Sequence, residues 1–563
     1  MTTFFFFGDS LTDTGNVAAA NGGTLGPGYP GTSVSDGITY AKYLDPDVQL
    51  GSVLAATLTP TTGSVDFSFA GATTGDGLLP PNVIAQSQSF GIAAPLLEID
   101  SNDLGFVWAG GNDFLAADLT QPADQLQASL LGIAGQGSTN IATAVDNILG
   151  AGVENVAVIK LINIGLAPRL NQLPGAGENF GRIASVFNGQ LESKLQGANQ
   201  NANIMMIDAD RFLSDAVANP GAYGFTNSTE AAAPNASVGM ASSLTEAELA
   251  ERLFYDDIHP TTAAHQHFSN YVAAHLTLSE DAGSLNLLTD AALALDDRFG
   301  FETADLEEGE IRFNAGIYQY ENKSGSVGRQ TQGLRADLDL GINDHMAVGA
   351  EFIYASGDAG DSTLDSFGFA MDSTLGGHLG NGLAWELGGG IGAVTGDLDR
   401  EHNLGTLDAS GKQLAFLLSI HAALRSDEFT FGGFGGYWEL GLKERIAFRR
   451  DAAESGAASL NLRYDHETIT TTLANIEMGL NLTAKTQLQL ALNPVLFHSG
   501  GEISGSQANG FGAFVTDDGT GYDVHTGRLG LRHLLNEHTT INTDFIVGDD
   551  STWGASLGFS IEL

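Results

Sequence analysis

Residues 4–16 read FFFFGDSLTDTGN. Four consecutive phenylalanines are far too few to cross a bilayer, which takes about 20 apolar residues in a helix. They read instead as a strand buried on both faces. Gly8-Asp9-Ser10 follows at once, at the point where a strand of a parallel sheet delivers side chains to its carboxyl edge. Ser10 therefore either caps the next helix or acts as a nucleophile.

Similar short runs recur at Phe67–Ala70, Phe106–Ala109, Val156–Ile162 and Ile204–Ile207. Segments of helical spacing separate and follow them, among them GRIASVFNGQLESKLQG and TTAAHQHFSNYVAAHL. Strands alternating with helices are the pattern of a parallel sheet covered on both faces, here over residues 1–280.

Beyond about residue 305 the period becomes two. In LRADLDLGI, Leu334, Ala336, Leu338, Leu340 and Ile342 share one face, with Arg335, Asp337 and Asp339 on the other. About twelve such segments follow, each near the ~10 residues of a tilted membrane-spanning strand. Their connections alternate long and short: ENKSGSVGRQTQ then INDH, SGDAGDSTLD then LGNG, GDLDREHNLGTLDASG then RSDE. Short turns on one rim and longer loops on the other are expected of an outer-membrane barrel, here residues 305–563, and not of a soluble sandwich. The intervening 281–304 carries Leu285, Leu288, Ala292, Leu295 and Phe299 at helical spacing, and is expected to be a linker helix threading the pore.

Composition narrows the partners. Over 563 residues, 68 acidic against 23 basic side chains give a formal net charge of −45, which opposes nucleic acid and basic-patch docking on anionic headgroups. With no cysteine, disulfides, thiolate metal sites and a cysteine nucleophile are excluded. No secretory leader is visible before Phe4.

A serine hydroxyl needs a base, and the base needs an orienting group. The first half holds four histidines, His259, His265, His267 and His275. Only His259 has a carboxylate placed for a triad, with Asp256 three residues earlier in FYDDIHPTT; Pro260 stops that turn from continuing as helix. His265 and His267 face different ways on a helix and are expected at its surface. Donors for a developing oxyanion are available at Gly71 in FSFAGATTG, through its backbone N–H, and at Asn112 in WAGGNDF, through its amide.

In this order FFFFGDSLTDTGN, FSFAGATTG, WAGGNDF and DDIHPT resemble the successive blocks of the GDSL, or SGNH, family of serine esterases and lipases. The resemblance implies an α/β/α fold with Ser10 as nucleophile, His259 as base and Asp256 as its orienter. It also implies an oxyanion hole made by the Ser10 and Gly71 backbone N–H groups and the Asn112 side chain, with no metal and no cofactor. The two-part layout is similar to that of the GDSL autotransporter esterases, in which a catalytic passenger is displayed outside the cell on a barrel of about twelve strands.

The expected protein is thus an α/β/α hydrolase followed by a transmembrane antiparallel barrel. It would be a monomeric, surface-displayed carboxylic-ester hydrolase in a bacterial outer membrane, its leader lying outside this sequence. Its partners would be an ester or lipid substrate, the surrounding outer-membrane lipid and the outer-membrane assembly machinery, with no nucleic acid. Two rival readings remain: a porin or translocator carrying a non-catalytic, adhesin-like passenger, and a soluble carbohydrate deacetylase with a binding sandwich. Calcium in the acidic stretch DDGTGYD is a minor alternative to simple solvation.

Overall fold

The computed structural model describes residues 2–51, 62–75, 80–118, 120–197, 202–278, 286–294, 306–322, 328–380, 382–402, 404–517, 525–548 and 552–563. The N-terminal sheet is built on β1 (Phe4–Gly8). On one side lie β3 (Val65–Asp66) and then β2 (Gln49–Leu50); on the other lie β4 (Leu104–Trp108), β5 (Asn155–Ile159) and β6 (Asn203–Ile207). All neighbours run parallel. A separate parallel pair, β7 (Asn227–Ala231) and β8 (Arg252–Phe254), follows the sheet.

The phenylalanine run explains itself here, because β1 is covered on both faces. Phe5 and Phe7 pack with α1 (Val83–Ala93), α3 (Ala123–Gly150) and α4 (Ala176–Gly197). Phe6 packs on the opposite side with α5 (Ala209–Ala218) and α6 (Thr262–Leu276), and stacks on Phe106 at 5.1 Å between ring centroids. Between α1 and α3, the short α2 (Gly111–Leu115) follows β4.

In this first domain two sequence expectations need correction. The run Phe67–Ala70 lies after its strand rather than forming it: β3 is Val65–Asp66. His265 is not on the surface of α6 but buried in it, so that desolvation lowers its pKa to about 3. Helical period alone placed it outward, but α6 is sandwiched against the sheet and β8 and has little exposed face.

The second half is a closed antiparallel barrel. Its strands are β9 (Ile311–Asn322), β10 (Arg329–Asn343), β11 (Met346–Ala359), β12 (Ser362–Leu379), β13 (Leu383–Arg400) and β14 (Ala409–Ser426). They continue as β15 (Phe434–Arg449), β16 (Glu467–Thr483), β17 (Thr486–Asn493), β18 (Thr526–Asn536), β19 (Thr539–Gly548) and β20 (Trp553–Glu562). Each pairs with the next, and β20 returns to β9 with Ile561 opposite Phe313. Closure leaves no sheet edge, as lipid requires.

The faces are inverted relative to a soluble protein. Leu334, Phe352, Phe369, Ile391, Ile420 and Leu442 are exposed outside, while Asp337, Asp339, Glu351, Glu386, Glu439 and Lys443 are buried inside. Such an apolar exterior around a polar interior suits a hydrocarbon surrounding.

Connections on one rim are tight, at 344–345, 484–485 and 537–538. The opposite rim carries the longer ones, but SGDAGDSTLD is not among them. β11 and β12 pair through this stretch, leaving only Gly360 and Asp361 at the tip. Its polar and glycine content read as loop, whereas the ladder simply continues beyond the barrel wall.

Of 281–304, the described part is α7 (Asn286–Ala294), with Leu287, Leu288, Ala291 and Ala292 buried against β10 to β15. Asp290 on α7 meets Arg329 of β10 at 2.9 Å. Residues 281–285 and 295–304, and the DDGTGYD stretch beyond Asp517, lie outside the described residues.

Long-rim connections meet the first domain. A small sheet of Ala452–Ala453, Leu462–Tyr464, Glu502–Gln507 and Phe514–Asp517 forms there, and Phe511 enters the core that contains Phe5 and Phe7.

Candidate active site

The adjacent strands β3, β1 and β4 all end at one rim of the sheet, and Gly71, Ser10 and Asn112 lie just past them in that order. Ser10 does not cap a helix. The next helix begins at Asn16, and its first N–H groups are met by Asp13, whose carboxylate accepts from Gly15, Asn16 and Val17. The same carboxylate accepts from Ala70 N–H at 2.8 Å, tying the serine turn to the segment that leads to Gly71. Below the turn, Gln86 accepts from Gly8 N–H at 2.8 Å and donates to Gly8 C=O at 2.9 Å. Ser10 is thus presented by a turn whose backbone is bonded on both sides.

The histidine arrives from far along the chain. Strand β8 ends in a turn that closes on itself: Tyr255 N–H donates to His259 C=O at 2.8 Å, and Thr261 N–H to Leu253 C=O at 3.0 Å. Within it, Asp256 Oδ1 accepts from the backbone N–H of Ile258 at 2.8 Å and of His259 at 2.6 Å. The His259 ring presents Nδ1 to Asp256 Oδ2 at 2.8 Å and Nε2 to Ser10 Oγ at 2.8 Å. With Nδ1–H donating to the carboxylate, Nε2 holds the free lone pair and Ser10 O–H donates to it.

Burial alone would raise the Asp256 pKa. The charge of His259 and the converging N–H donors outweigh it and hold the carboxyl at about 2. Asp9, next to the serine, goes the other way. Burial raises it to about 7, against the pull of Leu11 N–H and His259 and with a further push from Asp113.

The Asn112 amide sits at the start of α2 and donates to Ala72 C=O at 3.0 Å, beside Gly71. An amide nitrogen carries two hydrogens, so one donor remains. Gly71 has φ +82°, a left-handed conformation that favours glycine. Neither the Ser10 nor the Gly71 backbone N–H meets an acceptor among the described residues. Asp113, the residue after Asn112, accepts from Thr74 N–H at 3.0 Å and so fixes α2 against the Gly71 segment.

Ser10, His259 and Asp256 are therefore in one hydrogen-bonded chain, and Asn112 is bonded to the turn that carries Gly71. Sequence reasoning missed Tyr29, whose hydroxyl donates to Asp256 Oδ2 at 2.8 Å. It lies in the glycine- and proline-rich stretch TLGPGYPG, which has neither periodicity nor a titrating signature.

Fold and site together define a class: a parallel α/β/α domain with a Ser-His-Asp chain at its carboxyl rim, joined to a closed twelve-stranded barrel. Residues 4–272 match the family model described as GDSL-like Lipase/Acylhydrolase, and this first domain belongs to that family. Among curated proteins, Lipase 1 of Photorhabdus luminescens is 25% identical over 417 residues, covering 61% of this chain and 60% of its own length. An uncharacterized protein in the trpE-trpG intergenic region of Pseudomonas putida is 25% identical over 297 residues, 48% of either chain. This chain thus spans about half to three fifths of the length of the curated relatives it matches. Among solved structures, the translocator domain of autotransporter NalP from Neisseria meningitidis aligns with a TM-score of 0.39 at 12% identity, over 51% of this chain and 99% of that one.

Proposed function

We propose that the chain is a serine carboxylic-ester hydrolase, an esterase or lipase, held in an outer membrane by its own autotransporter-type barrel. Its first domain would be displayed at the cell surface. The observation that carries the reading is the unbroken chain from Ser10 Oγ through His259 to Asp256, 2.8 Å at each step.

In the reaction, Ser10 Oγ attacks the ester carbonyl as His259 Nε2 takes its proton. Asp256 holds the ring in the tautomer that leaves Nε2 free and stabilises the imidazolium. The negative charge on the tetrahedral oxygen is met by the Ser10 and Gly71 N–H groups and the second Asn112 amide hydrogen. Collapse expels the alcohol, protonated by His259, and water activated by the same ring hydrolyses the acyl-enzyme. An ester or lipid is the substrate class; bilayer lipid would surround the exposed apolar belt, and outer-membrane assembly machinery would insert it.

The test is fluorophosphonate labelling of intact cells that express either the native chain or Ser10→Ala. Labelling by a membrane-impermeant probe, lost in the variant, is the expected result. Equal labelling of both would remove Ser10 as nucleophile, and labelling only after lysis would overturn surface display.

A further inference from the structure

The Ser-His-Asp chain has a fourth member in space. Asp256 Oδ2 accepts not only His259 Nδ1 but also the Tyr29 hydroxyl, both at 2.8 Å, while Oδ1 is occupied by the Ile258 and His259 backbone N–H groups. The turn's own N–H donors reach Oδ1 alone, which also lies 3.0 Å from His259 Nδ1, so they leave the second oxygen, nearer the ring, to be hydrogen-bonded by another group. Tyr29 is the group that fixes that second oxygen from outside the turn.

The hydroxyl is delivered by a backbone that cannot drift. Tyr255 O–H donates to Gly28 C=O at 2.7 Å, and the Tyr29 and Tyr255 rings lie 6.0 Å apart. On the other side, Gly28 lies so close to Ala236 that a Cβ would come within 1.9 Å of its carbonyl oxygen. Further along the same loop, Ser35 O–H donates to Pro260 C=O at 2.9 Å, and Asp36 accepts from Thr262 N–H at 2.6 Å. The loop is thus bonded to residues flanking the catalytic turn on both sides.

We infer that Tyr29 is a positioning residue of the hydrolytic site, which acts through Asp256 to hold His259 in line with Ser10. The inference rests on the proposed Ser10-His259-Asp256 assignment and adds a residue to it. Tyr29 also withdraws charge from the carboxylate oxygen that faces the imidazole. Removing its hydroxyl therefore lets Asp256 favour the imidazolium more strongly and misaligns the ring. The other ionisable groups around this cluster are Asp257 with its partner Arg169, Tyr255, Asp9 and His265. None of them donates to Asp256 Oδ2.

The test uses the full chain in detergent micelles with a soluble short-chain ester. For Tyr29→Phe, kcat is expected to fall about tenfold, the effect of one charge-assisted hydrogen bond, with KM within about twofold. The acid limb of the kcat/KM profile is expected to move up by about half a pH unit. In an Asp256→Asn background the same substitution is expected to change nothing further, because the acceptor through which it acts has lost its charge. Unchanged kcat and acid limb in Tyr29→Phe would overturn the inference, as would full additivity with Asp256→Asn. If Tyr29→Phe lost its near-UV dichroism, Tyr255→Phe, which frees Gly28 and leaves Tyr29 intact, should reproduce the loss of kcat; a normal kcat there would count against the positioning role. Ser10→Ala separates the two levels. Activity surviving in Ser10→Ala defeats the catalytic assignment itself, whereas an inactive Ser10→Ala beside an unaffected Tyr29→Phe defeats only the role of Tyr29.

Discussion

Gln507 and Met206 bond each other twice across 301 positions of sequence: Met206 N–H donates to Gln507 Oε1, and Gln507 Nε2 donates to Met206 C=O, both at 2.9 Å. Met206 belongs to β6, the outer strand of the N-terminal sheet, and Gln507 to a long-rim connection of the barrel. The side-chain amide does for β6 what another strand would do, satisfying an edge that is otherwise open. Gln507 also donates to Ser459 C=O at 2.8 Å, so one residue binds both the domain and its platform.

Gln507→Ala is expected to loosen that junction. Both Met206 groups are buried, and leaving a buried backbone group unpaired costs roughly 1–3 kcal/mol. Hydrogen exchange of the β6 amides should quicken by at least tenfold, with the proposed hydrolysis at Ser10 unaffected because β6 is distant in the sheet order from β1. Unchanged exchange would mean that the contact does not hold the edge.

Asn112→Ala tests the oxyanion assignment. Loss of one donor to a developing oxyanion typically lowers kcat by about 10²–10³. The structural loss is a single bond to Ala72 C=O at a partly buried site, so the fold should persist with a thermal midpoint close to that of the native chain. A folded Asn112→Ala with native kcat would remove the amide from the mechanism.

Much of this was legible in the sequence, for identifiable reasons. Phe4–Phe7 could only be a strand covered on both sides, and the alternation around Leu334–Ile342 could only be a sheet with chemically distinct faces. The candidate site was legible because a weak nucleophile demands a base and an orienter, and Asp256 and His259 were the one pair available at that spacing. What stayed hidden depended on packing between distant segments. Tyr29 and Gln507 look like ordinary loop residues until the chain is folded, and His265 carries the same helical period whether its face is wet or dry. SGDAGDSTLD misled because its composition favours turns, while pairing with a neighbouring strand overrode local preference.

Asp9 makes the stability of the first domain depend on pH. Its carboxyl is raised in the fold to about 7, burial being the main cause, from 3.8 for the free group. As pH rises through that window the unfolded chain releases the proton while the folded chain keeps it. Stability linked to Asp9 is therefore full below about pH 4 and is lost as pH approaches 7. An asparagine at this position would keep an oxygen for Leu11 N–H and have no charge to bury. Asp9→Asn should thus leave the unfolding free energy nearly unchanged at pH 4 and raise it at pH 8, by up to roughly 4 kcal/mol. Denaturant unfolding at the two pH values reads the difference. An equal effect at both would show that Asp9 is not held neutral.

Asp256 behaves in the opposite sense. Held at about 2, it contributes stability above its ordinary range, and that contribution is lost only as pH falls from about 4 toward 2. It stays ionised wherever His259 can serve as a base. Asp256→Asn offers the ring an amide that can donate to Nδ1, which favours the wrong tautomer. By analogy with other triads, kcat should fall about 10⁴-fold. A loss below tenfold in a folded variant would mean that Asp256 does not orient the base.

A buried ion pair in the platform gives the last prediction. Arg400 at the end of β13 meets Glu454 at 2.5 Å, both side chains almost wholly enclosed, and Arg400 also donates to Leu460 C=O at 2.6 Å. Glu454 in turn accepts from Tyr464 O–H at 2.7 Å and from Leu462 N–H at 2.9 Å. Desolvation makes such a pair only weakly favourable as a whole, but removing one partner strands the other charge. Glu454→Ala is therefore expected to cost about 3–5 kcal/mol in the long-rim sheet, while Glu454→Gln, which keeps one of the two acceptor oxygens that Tyr464 and Leu462 use, should cost less. Because the platform holds Gln507 and Ser459 against β6, the damage should spread to that junction and spare the barrel ladder below it. Exchange rates in β6 and in β10 to β14 read the two apart. Equal loosening of both, or of neither, would show that this ion pair does not organise the contact between the two halves.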